Sequence, residues 1–399
     1  MAKKQSVRYV CSSCGAAHMS WSGRCTSCGE WNTITEQLNV SESLRSHAGS
    51  QLQPRALKDV VEHDTTKRIL TGITDVDTVL GGGFVPGSVI LLAGEPGIGK
   101  STLLLQVAAA VASSGDVLYV SGEESAHQVG LRASRLGVDA KKLSIAVSSS
   151  ANDIASTIAA HKYALVIVDS IQTVAVAEIA SAAGTVSQIT NSTQLLTAAA
   201  KQADSALLLV GHVTKEGSIA GPKVLEHTVD AVLQLEGDRY GGFKLLRSIK
   251  NRFGSTGETG IFEMVDTGMR MVANPSAALL AERQIADGSV VLATIEGSRA
   301  ILVEVQALVN TTTYGYPKRA ASGFDIARLN LLIAMLERRT KLKLSDKDVY
   351  INIVGGIKIT EPAADLAVVM AIASASKGMQ LKKNAVVFGE LGQIGRAHV

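Results

Sequence analysis

The feature that most constrains the fold of this chain is the segment at 94–101, which reads Gly-Glu-Pro-Gly-Ile-Gly-Lys-Ser. It follows the pattern G-x-x-x-x-G-K-[ST], with a short apolar run before it at 87–93 and a helical run after it at 102–111. In that order of strand, loop and helix, the glycines allow backbone N–H groups to surround a phosphate at a helix N-terminus. The sequence therefore predicts a nucleotide-binding α/β domain built on this phosphate loop.

The same pattern assigns roles to the side chains of the loop. Lys100 is expected to contact the β- and γ-phosphates of ATP, and the Ser101 hydroxyl is expected to ligate Mg²⁺. The residues predicted to surround the nucleotide are Gly94, Glu95, Pro96, Gly97, Ile98, Gly99, Lys100, Ser101 and Thr102.

Acidic residues follow two further strands of the predicted sheet. Asp169 follows the apolar run at 163–168, at the carboxyl edge where ligands bind in α/β sheets, and it is the predicted second ligand of Mg²⁺. An ordinary strand-terminal aspartate is the alternative. Glu123 and Glu124 follow the run at 116–121, where ATPases of the RecA type carry the carboxylate that polarises the attacking water. We assign this role to Glu123 first and Glu124 second, and an acidic pair that caps a helix is the alternative.

Polar residues follow two more predicted strands. His212 ends the run at 205–211 and could sense the γ-phosphate, although a structural histidine fits the sequence nearly as well. The loop after it is where RecA-like proteins commonly contact DNA. Lys250 and Arg252 flank a single asparagine in the stretch Lys-Asn-Arg-Phe-Gly at 250–254, which by itself is compatible with a solvated turn.

All four cysteines of the chain lie within its first 28 residues. They form two pairs, each with a two-residue gap, and a glycine follows each pair. Two such knuckles bring four thiolates to one tetrahedral ion, so we predict a structural zinc site, and redox pairs or unrelated surface thiols are the alternatives. A module of about 30 residues is too small to fold on its own core, so the metal would supply its folding energy. The predicted ligands are Cys11, Cys14, Cys25 and Cys28.

Length and composition limit what the rest of the chain can be. Its 399 residues are 46% hydrophobic and 19% charged, which allows two or three domains and excludes a disordered or collagen-like chain. No apolar run approaches the ~18 residues of a membrane span and no secretory signal is visible, so we expect a cytoplasmic protein without a membrane partner. The net charge of +3 neither requires nor excludes nucleic acid. The predicted domains are a zinc finger at 1–34, a linker at 35–68, an ATPase domain at 69–273 and a C-terminal domain at 274–399.

Taken in order along the chain, these motifs resemble one family. The resemblance rests on the cysteine pairs, the phosphate loop and four short stretches at 122–125, 211–215, 221–227 and 250–254, and it spans essentially the whole chain. These motifs are similar to those of the bacterial RadA (Sms) family of DNA repair proteins. The resemblance implies an α/β fold with a RecA-like P-loop NTPase core, a small N-terminal zinc-binding module and a C-terminal Lon-protease-like α/β domain.

The resemblance also implies a function, that of a DNA-dependent ATPase in recombinational DNA repair that processes recombination intermediates as a branch-migration helicase on single-stranded DNA. The implied partners are single-stranded and branched DNA, a recombinase of the RecA type and further copies of the chain in a homo-hexamer. Lys250 and Arg252 would then project towards a neighbour's nucleotide or towards DNA. The alternatives are a RecA-like autokinase or signalling ATPase, an ATP-dependent Lon-type protease, and a zinc adaptor whose ATP site switches shape without motor activity.

The C-terminal third resembles the proteolytic domain of Lon proteases. Ala363 occupies the place of that family's nucleophilic serine, and a methyl group cannot attack a carbonyl, so no protease activity is expected. Family members continue beyond the strand at 388–392, so this domain is expected to be truncated. It would serve as a scaffold for ring assembly and as a basic platform for DNA, and an ordinary solvated charged surface is the alternative for each of the basic residues. These residues are Lys318, Arg319, Arg328, Arg338 and Arg339.

Overall fold

The computed structural model describes residues 7–38, 68–139, 141–212, 223–237, 242–313, 315–392 and 397–398. The chain divides into two compact units, one of Met1–Leu235, Ser248–Thr256 and Asp266–Met269, the other of Glu236–Arg247, Gly257–Val265 and Arg270–Val399. Most of the predicted linker lies outside the described residues. The segments 236–247 and 257–265, which the sequence analysis places in the ATPase domain, belong by their contacts to the second unit.

The N-terminal module is a small antiparallel sheet. Its strands are β1 (Val7–Cys11), β2 (Ala17–His18) and β3 (Ile34–Leu38), in the order β2-β1-β3. The buried cluster inside it contains Cys11, Cys25 and Ile34. So small an apolar core cannot stabilise a fold by itself, so the module depends on what its cysteines bind.

A parallel sheet of apolar strands forms the middle of the first unit. Its strands are β4 (Val89–Gly94), β5 (Val117–Ser121), β6 (Leu143–Val147), β7 (Leu165–Asp169), β8 (Ala206–His212) and β9 (Ala231–Gly237). They pair in parallel in the order β9-β4-β8-β7-β5-β6. Strands β4 and β5 are buried along their whole length, as is typical of a sheet covered on both faces. The parallel order brings the carboxyl ends of all six strands to one edge.

Helices cover this sheet and form its connections. They are α1 (Thr74–Leu80), α2 (Lys100–Val111), α3 (Ala126–Arg135), α4 (Ala151–Ala160), α5 (Val186–Ala203) and α6 (Lys223–Thr228). Helix α2 packs against β5 and β7, and α4 packs against α5. The core between the layers includes Leu91, Val120, Val168 and Leu209, one from each of four neighbouring strands.

The second unit also contains strands and helices. Strands β10 (Phe243–Asn251) and β11 (Thr259–Val265) pair antiparallel through residues 243–247 and 259–263, which belong to this unit. The end of β10 and the start of β12 (Gly268–Met271) belong to the first unit, and α7 (Pro275–Leu280) belongs to the second. A mixed sheet is formed by β13 (Ser289–Glu296), β14 (Arg299–Thr311), β15 (Arg319–Ser322), β16 (Lys347–Ile353) and β17 (Val386–Val387). Its strand order is β15-β16-β14-β13-β17, and it packs against helices α8 (Ile326–Thr340) and α9 (Asp365–Lys377). A short pair follows, β18 (Glu390–Leu391) and β19 (Ala397–His398). Among the described residues, no helix combines the length and the apolarity needed to span a membrane.

A buried ion pair joins α8 to the start of α9. Arg328 donates from Nε and Nη2 to the two carboxylate oxygens of Asp365, at 2.6 and 2.5 Å, and the Asp365 side chain is 1% exposed. The backbone N–H of Leu391 also donates to this carboxylate, at 3.2 Å. Arg328 is one of the residues predicted to form a basic platform for DNA, and its guanidinium is bonded to Asp365. Ala363 lies in a single 3₁₀ turn directly before α9.

Candidate functional site

The phosphate loop connects β4 to α2 at the carboxyl edge of the parallel sheet. Gly99 is the N-cap residue of α2, with φ of 111°, and Gly97 has φ of 80°, conformations that favour glycine. At Gly94 the constraint is space, because a Cβ there would lie 2.7 Å from the carbonyl oxygen of Leu235. The first N–H groups of a helix have no partner within the helix, so the loop presents donors and a positive helix end to an anion. This arrangement fits a nucleotide phosphate.

Lys100 lies inside the loop. Only 5% of the residue is exposed, and its Nζ donates to the carbonyl oxygens of Gly94 (2.8 Å) and Glu95 (3.0 Å). Burial lowers the pKa of Lys100, while the nearby charges of Asp169 and Glu123 act against that shift. The ammonium is therefore poorly hydrated, and phosphate oxygens at the loop would supply the counter-charge.

Asp169 is the last residue of β7 and lies at this same edge of the sheet. The hydroxyl of Tyr119, in the neighbouring strand β5, donates to its Oδ2 at 2.7 Å. Burial, together with the charge of Asp169 and its hydrogen bond, raises the pKa of Tyr119 above its ordinary value. The phenol thus remains a hydrogen-bond donor at any physiological pH. The peptide bond between Asp169 and Ser170 is cis.

Glu123 lies in the loop after β5, next to the end of β7. Its Oε1 accepts a hydrogen bond from Oγ of Ser170 at 2.5 Å and lies 3.3 Å from Nε2 of His212. Burial alone would raise the pKa of Glu123, but the hydrogen bonds from Ser170 and His212, with the electrostatic influence of His212 and Lys100, outweigh burial and lower it. The structure therefore brings an ionised carboxylate, a histidine and the phosphate-loop lysine to one place.

Glu124 has different surroundings. Both of its carboxylate oxygens accept hydrogen bonds from Arg132 of α3, at 2.7 and 2.5 Å, and its backbone N–H donates to Oγ of Ser121. The N-cap of α3 is Ser125, which forms a capping box with Gln128, so neither glutamate caps that helix. Of the two glutamates, Glu123 faces the predicted nucleotide site and Glu124 is held in an ion pair.

Both cations of the Lys-Asn-Arg-Phe-Gly stretch contact groups of their own chain. Nζ of Lys250 donates to the carbonyl oxygens of Glu226 and Val229, the second at 2.8 Å, and so caps the C-terminal end of α6. Nη1 of Arg252 donates to Oδ1 of Asp230 at 3.0 Å. The family resemblance implies that these cations serve a neighbour's nucleotide or DNA, which stays a prediction. The loop between His212 and α6, at 213–222, lies outside the described residues.

The rest of this stretch packs against the turn that ends α1. Asn251 donates to the carbonyl oxygen of Val79 at 3.3 Å. A Cβ on Gly254 would lie 2.9 Å from Cα of Gly81, and a Cβ on Gly81 would lie 3.0 Å from Cα of Gly254. The two glycines therefore allow two stretches of backbone to touch.

The four cysteines converge on one point of the N-terminal module. Their sulfur atoms all lie within 4.8 Å of one another, and the Cys11–Cys28 and Cys14–Cys25 sulfur pairs are each 3.7 Å apart. Zinc–sulfur bonds of about 2.3 Å in a tetrahedron place sulfurs roughly 3.8 Å apart, so the cluster has the size of a four-thiolate zinc site.

Comparison with known proteins gives matches for both the cysteine module and the domain that contains the phosphate loop. Residues 9–36 match a family described as a rubredoxin metal binding domain, and residues 53–218 match one described as an AAA domain. The chain is 47% identical over 393 residues to the DNA repair protein RadA of Aquifex aeolicus, with 98% of this chain and 88% of that protein covered. It is 46% identical over 401 residues to the protein of that name from Listeria monocytogenes and 45% identical over 399 residues to the one from Pseudomonas aeruginosa, with 99% of this chain and 88% of each relative covered. The chain belongs to the RadA family.

Membership of the RadA family confirms the resemblance on which the fold prediction rests. The AAA match contains the whole phosphate loop, and the metal-binding match contains all four cysteines. The α/β fold with a large parallel sheet, an ATP-binding P-loop domain and an N-terminal zinc-binding module is likewise confirmed. RadA relatives are named as DNA repair proteins.

Two polar residues of this site were not singled out in the sequence. Tyr119 interrupts an aliphatic strand two residues before its end, and Ser170 directly follows Asp169. A polar atom inside a buried strand is a signal that could have revealed Tyr119, because buried hydroxyl groups are almost always hydrogen-bonded.

Proposed function

We propose that this RadA-family chain is a DNA-dependent ATPase of recombinational repair that moves DNA branches as a helicase on single-stranded DNA. The observation that carries the proposal is the placement of Lys100, Asp169 and Glu123 at one edge of the sheet, beside the phosphate loop. A family whose curated members are named DNA repair proteins supports the choice of DNA as the partner. The protein would act in the cytoplasm.

Each side chain at this site would have a separate role in the transfer of the γ-phosphoryl group to water. Lys100 would leave the carbonyls of Gly94 and Glu95 and bind the β- and γ-phosphates, stabilising the charge that develops there. Glu123, ionised and beside His212, would orient and deprotonate the attacking water, and His212 would sense whether the γ-phosphate is present. Ser101 and Asp169 would hold Mg²⁺, which neutralises phosphate charge when bound.

Lys250 and Arg252 would serve a neighbouring subunit's ATP in a hexamer, and DNA phosphate contact is the alternative outcome. In the single chain their charged ends contact Glu226, Val229 and Asp230, so subunit contact would have to exchange these partners for phosphate oxygens. Mixing experiments separate the two roles. A Lys100→Ala protein lacks a working site and a Lys250→Ala protein lacks the cation, so recovered ATPase activity in the mixture means that Lys250 acts across subunits. No recovery, with weakened DNA binding by Lys250→Ala alone, means contact with DNA.

The experiment that tests the function is ATP hydrolysis with and without single-stranded DNA, followed by branch migration of a three-strand DNA intermediate, with and without a RecA-type recombinase. Wild type should be stimulated by DNA, and Glu123→Gln should lose turnover while it retains ATP binding. Glu124→Gln is the matched control, because that carboxylate pairs with Arg132. An ATP hydrolysis rate that is the same with and without DNA would refute the DNA-dependent motor. ATP binding without hydrolysis would favour an ATP-switched adaptor.

A further inference from the structure

We propose that Tyr119 and Ser170 are positioning residues of the ATP site, Tyr119 acting through the carboxylate of Asp169 and Ser170 through that of Glu123. The inference rests on the proposed function, because it takes from there the roles of the two carboxylates. It adds two residues that would not themselves contact the nucleotide or the metal. Their hydrogen bonds would instead fix the orientation of the carboxylates of Asp169 and Glu123.

The two hydrogen bonds cross between the same pair of strand ends in opposite directions. Tyr119 lies in β5 and donates to Asp169, the last residue of β7, at 2.7 Å. Ser170 follows β7 and donates to Glu123, in the loop after β5, at 2.5 Å. Between them the backbone N–H of Gly122 donates to the carbonyl oxygen of Asp169 at 2.8 Å. Neither carboxylate can turn away without breaking a bond to the other strand.

The register of the sheet shows how far Tyr119 has to reach. Asp169 pairs with Ser121 across the two parallel strands, whereas Tyr119 pairs with Ile167. The phenol therefore extends along the strand by about two residues, roughly 6.6 Å, before it meets the carboxylate. A phenylalanine would fill the same space without reaching it, so the hydroxyl is a feature separate from the packing of the ring.

Both hydroxyls are buried, and the acceptor of each is a carboxylate at the predicted nucleotide site. Tyr119 is 1% exposed and Ser170 is 0% exposed, so each hydroxyl needs a partner. Ser192, equally buried in α5, donates to the backbone carbonyl of Val174, which is the usual solution. Tyr119 and Ser170 donate instead to carboxylates, in charge-assisted bonds that are shorter, stronger and more directional than neutral ones.

The two bonds should affect different measured quantities. Loss of the Tyr119 hydroxyl frees a carboxylate proposed to hold Mg²⁺, so it should weaken the metal-dependent part of nucleotide binding. Loss of the Ser170 hydroxyl frees the carboxylate proposed to orient water, so it should lower kcat and leave nucleotide affinity in place. Residues that orient ligands and catalytic groups from the outside typically change affinity or activity by about 10–100-fold.

The test uses the full chain with Tyr119→Phe and Ser170→Ala, and Tyr163→Phe and Ser192→Ala as matched controls. Tyr163 lies two residues before the start of β7, at the opposite end of the strand from Asp169. Binding of a fluorescent ATP analogue is titrated with Mg²⁺, kcat is measured separately, and unfolding in urea is recorded for all four variants. Tyr119→Phe should raise the Mg²⁺ concentration for half-maximal binding about tenfold, and Ser170→Ala should lower kcat at least about tenfold with affinity within about twofold.

The outcomes separate this proposal from the proposed function. Wild-type Mg²⁺ dependence in Tyr119→Phe, or wild-type kcat in Ser170→Ala, overturns the role of that residue. The role is also overturned if the loss of Mg²⁺ affinity or of kcat is no larger than in control variants that lose the same stability in urea, because the residue would then be structural. If wild type binds ATP but does not hydrolyse it, the ATPase proposal fails, and crystal structures of the two variants decide the inference. The carboxylates of Asp169 and Glu123 must leave their wild-type positions there, and carboxylates that stay in place refute it.

Discussion

Gly122→Ala tests how closely the end of β5 must approach the end of β7. A Cβ at this position would lie 2.1 Å from Oγ1 of Thr173 and 3.2 Å from its Cβ. Carbon and oxygen atoms in contact are ordinarily more than 3 Å apart, so the structure must yield by about 1 Å. The Thr173 hydroxyl cannot simply turn away, because it donates to the carbonyl oxygen of Ser170 at 2.8 Å. Rotation of the Thr173 side chain would lose this hydrogen bond, so part of the strain falls on the Gly122 backbone and displaces the adjacent Glu123.

The size of the effect follows from that displacement. Overpacking of this kind costs about 1–3 kcal/mol of stability, a loss that leaves a large domain folded. A catalytic group misplaced by about 1 Å can lose roughly 100-fold in rate. We therefore expect kcat for ATP hydrolysis to fall by about 10–100-fold, while ATP affinity, which depends on the loop at Lys100, changes little.

Steady-state ATP hydrolysis, binding of a fluorescent nucleotide and urea denaturation measure the three quantities. The double variant Gly122→Ala, Thr173→Ala removes the oxygen that the new methyl group meets, so it should recover part of the lost kcat, and Thr173→Ala alone is the control. Unchanged kcat in Gly122→Ala would refute the reasoning. So would a double variant no more active than Gly122→Ala, because the contact with Thr173 would then not be the cause.

Three further predictions concern other parts of the chain. Cys25→Ser should reduce bound zinc to a small fraction of one equivalent, measured with a colorimetric chelator, while ATP binding by the other domain persists. Lys100→Met should weaken ATP binding at least about tenfold by fluorescence titration. Burial lowers the pKa of Lys100, so at a pH between the folded and unfolded pKa values the unfolded chain binds more protons than the folded one. The unfolding free energy of wild type, relative to that of Lys100→Met, should therefore rise with pH until the pH reaches the ordinary pKa of lysine. Urea denaturation at pH 7 to 10 that shows no pH dependence in this free-energy difference would contradict the prediction. Arg328→Met leaves the buried carboxylate of Asp365 without its cation and should cost about 2–3 kcal/mol in urea denaturation, less than for a fully buried pair because Arg328 is 36% exposed; a loss below about 0.5 kcal/mol would contradict it.

The parts of the fold that sequence predicts well are those that local pattern determines. The phosphate loop lies between β4 and α2 because an apolar run, glycines and a helical run follow one another within 25 residues, 87–111. The cysteine cluster was equally predictable, since two short gaps and two glycines are enough to define a knuckle pair. Asp169 lies at the predicted edge because parallel strands all end there.

Contacts that depend on the register between distant strands were not predictable. The sequence shows a tyrosine in β5, but only the pairing of Tyr119 with Ile167 indicates that its hydroxyl reaches Asp169. The direction of a long cationic side chain is equally undetermined, because Lys250 gives the same local pattern whether it meets phosphate or the end of α6.

The contact between Gly81 and Gly254 makes two positions far apart in the sequence behave as one for mutation. Gly81 has φ of 81°, a conformation that favours glycine, whereas Gly254 does not have a positive φ. Gly254 must therefore be glycine for a different reason, which is that a Cβ there would collide with the backbone of Gly81. In most packed pairs, a larger residue on one side can be compensated by a smaller one on the other. Here both sides already carry the smallest residue, so no exchange at the partner position can rescue a side chain at either. The final glycine of Lys-Asn-Arg-Phe-Gly is therefore under a constraint of packing that is independent of whatever its charged neighbours bind.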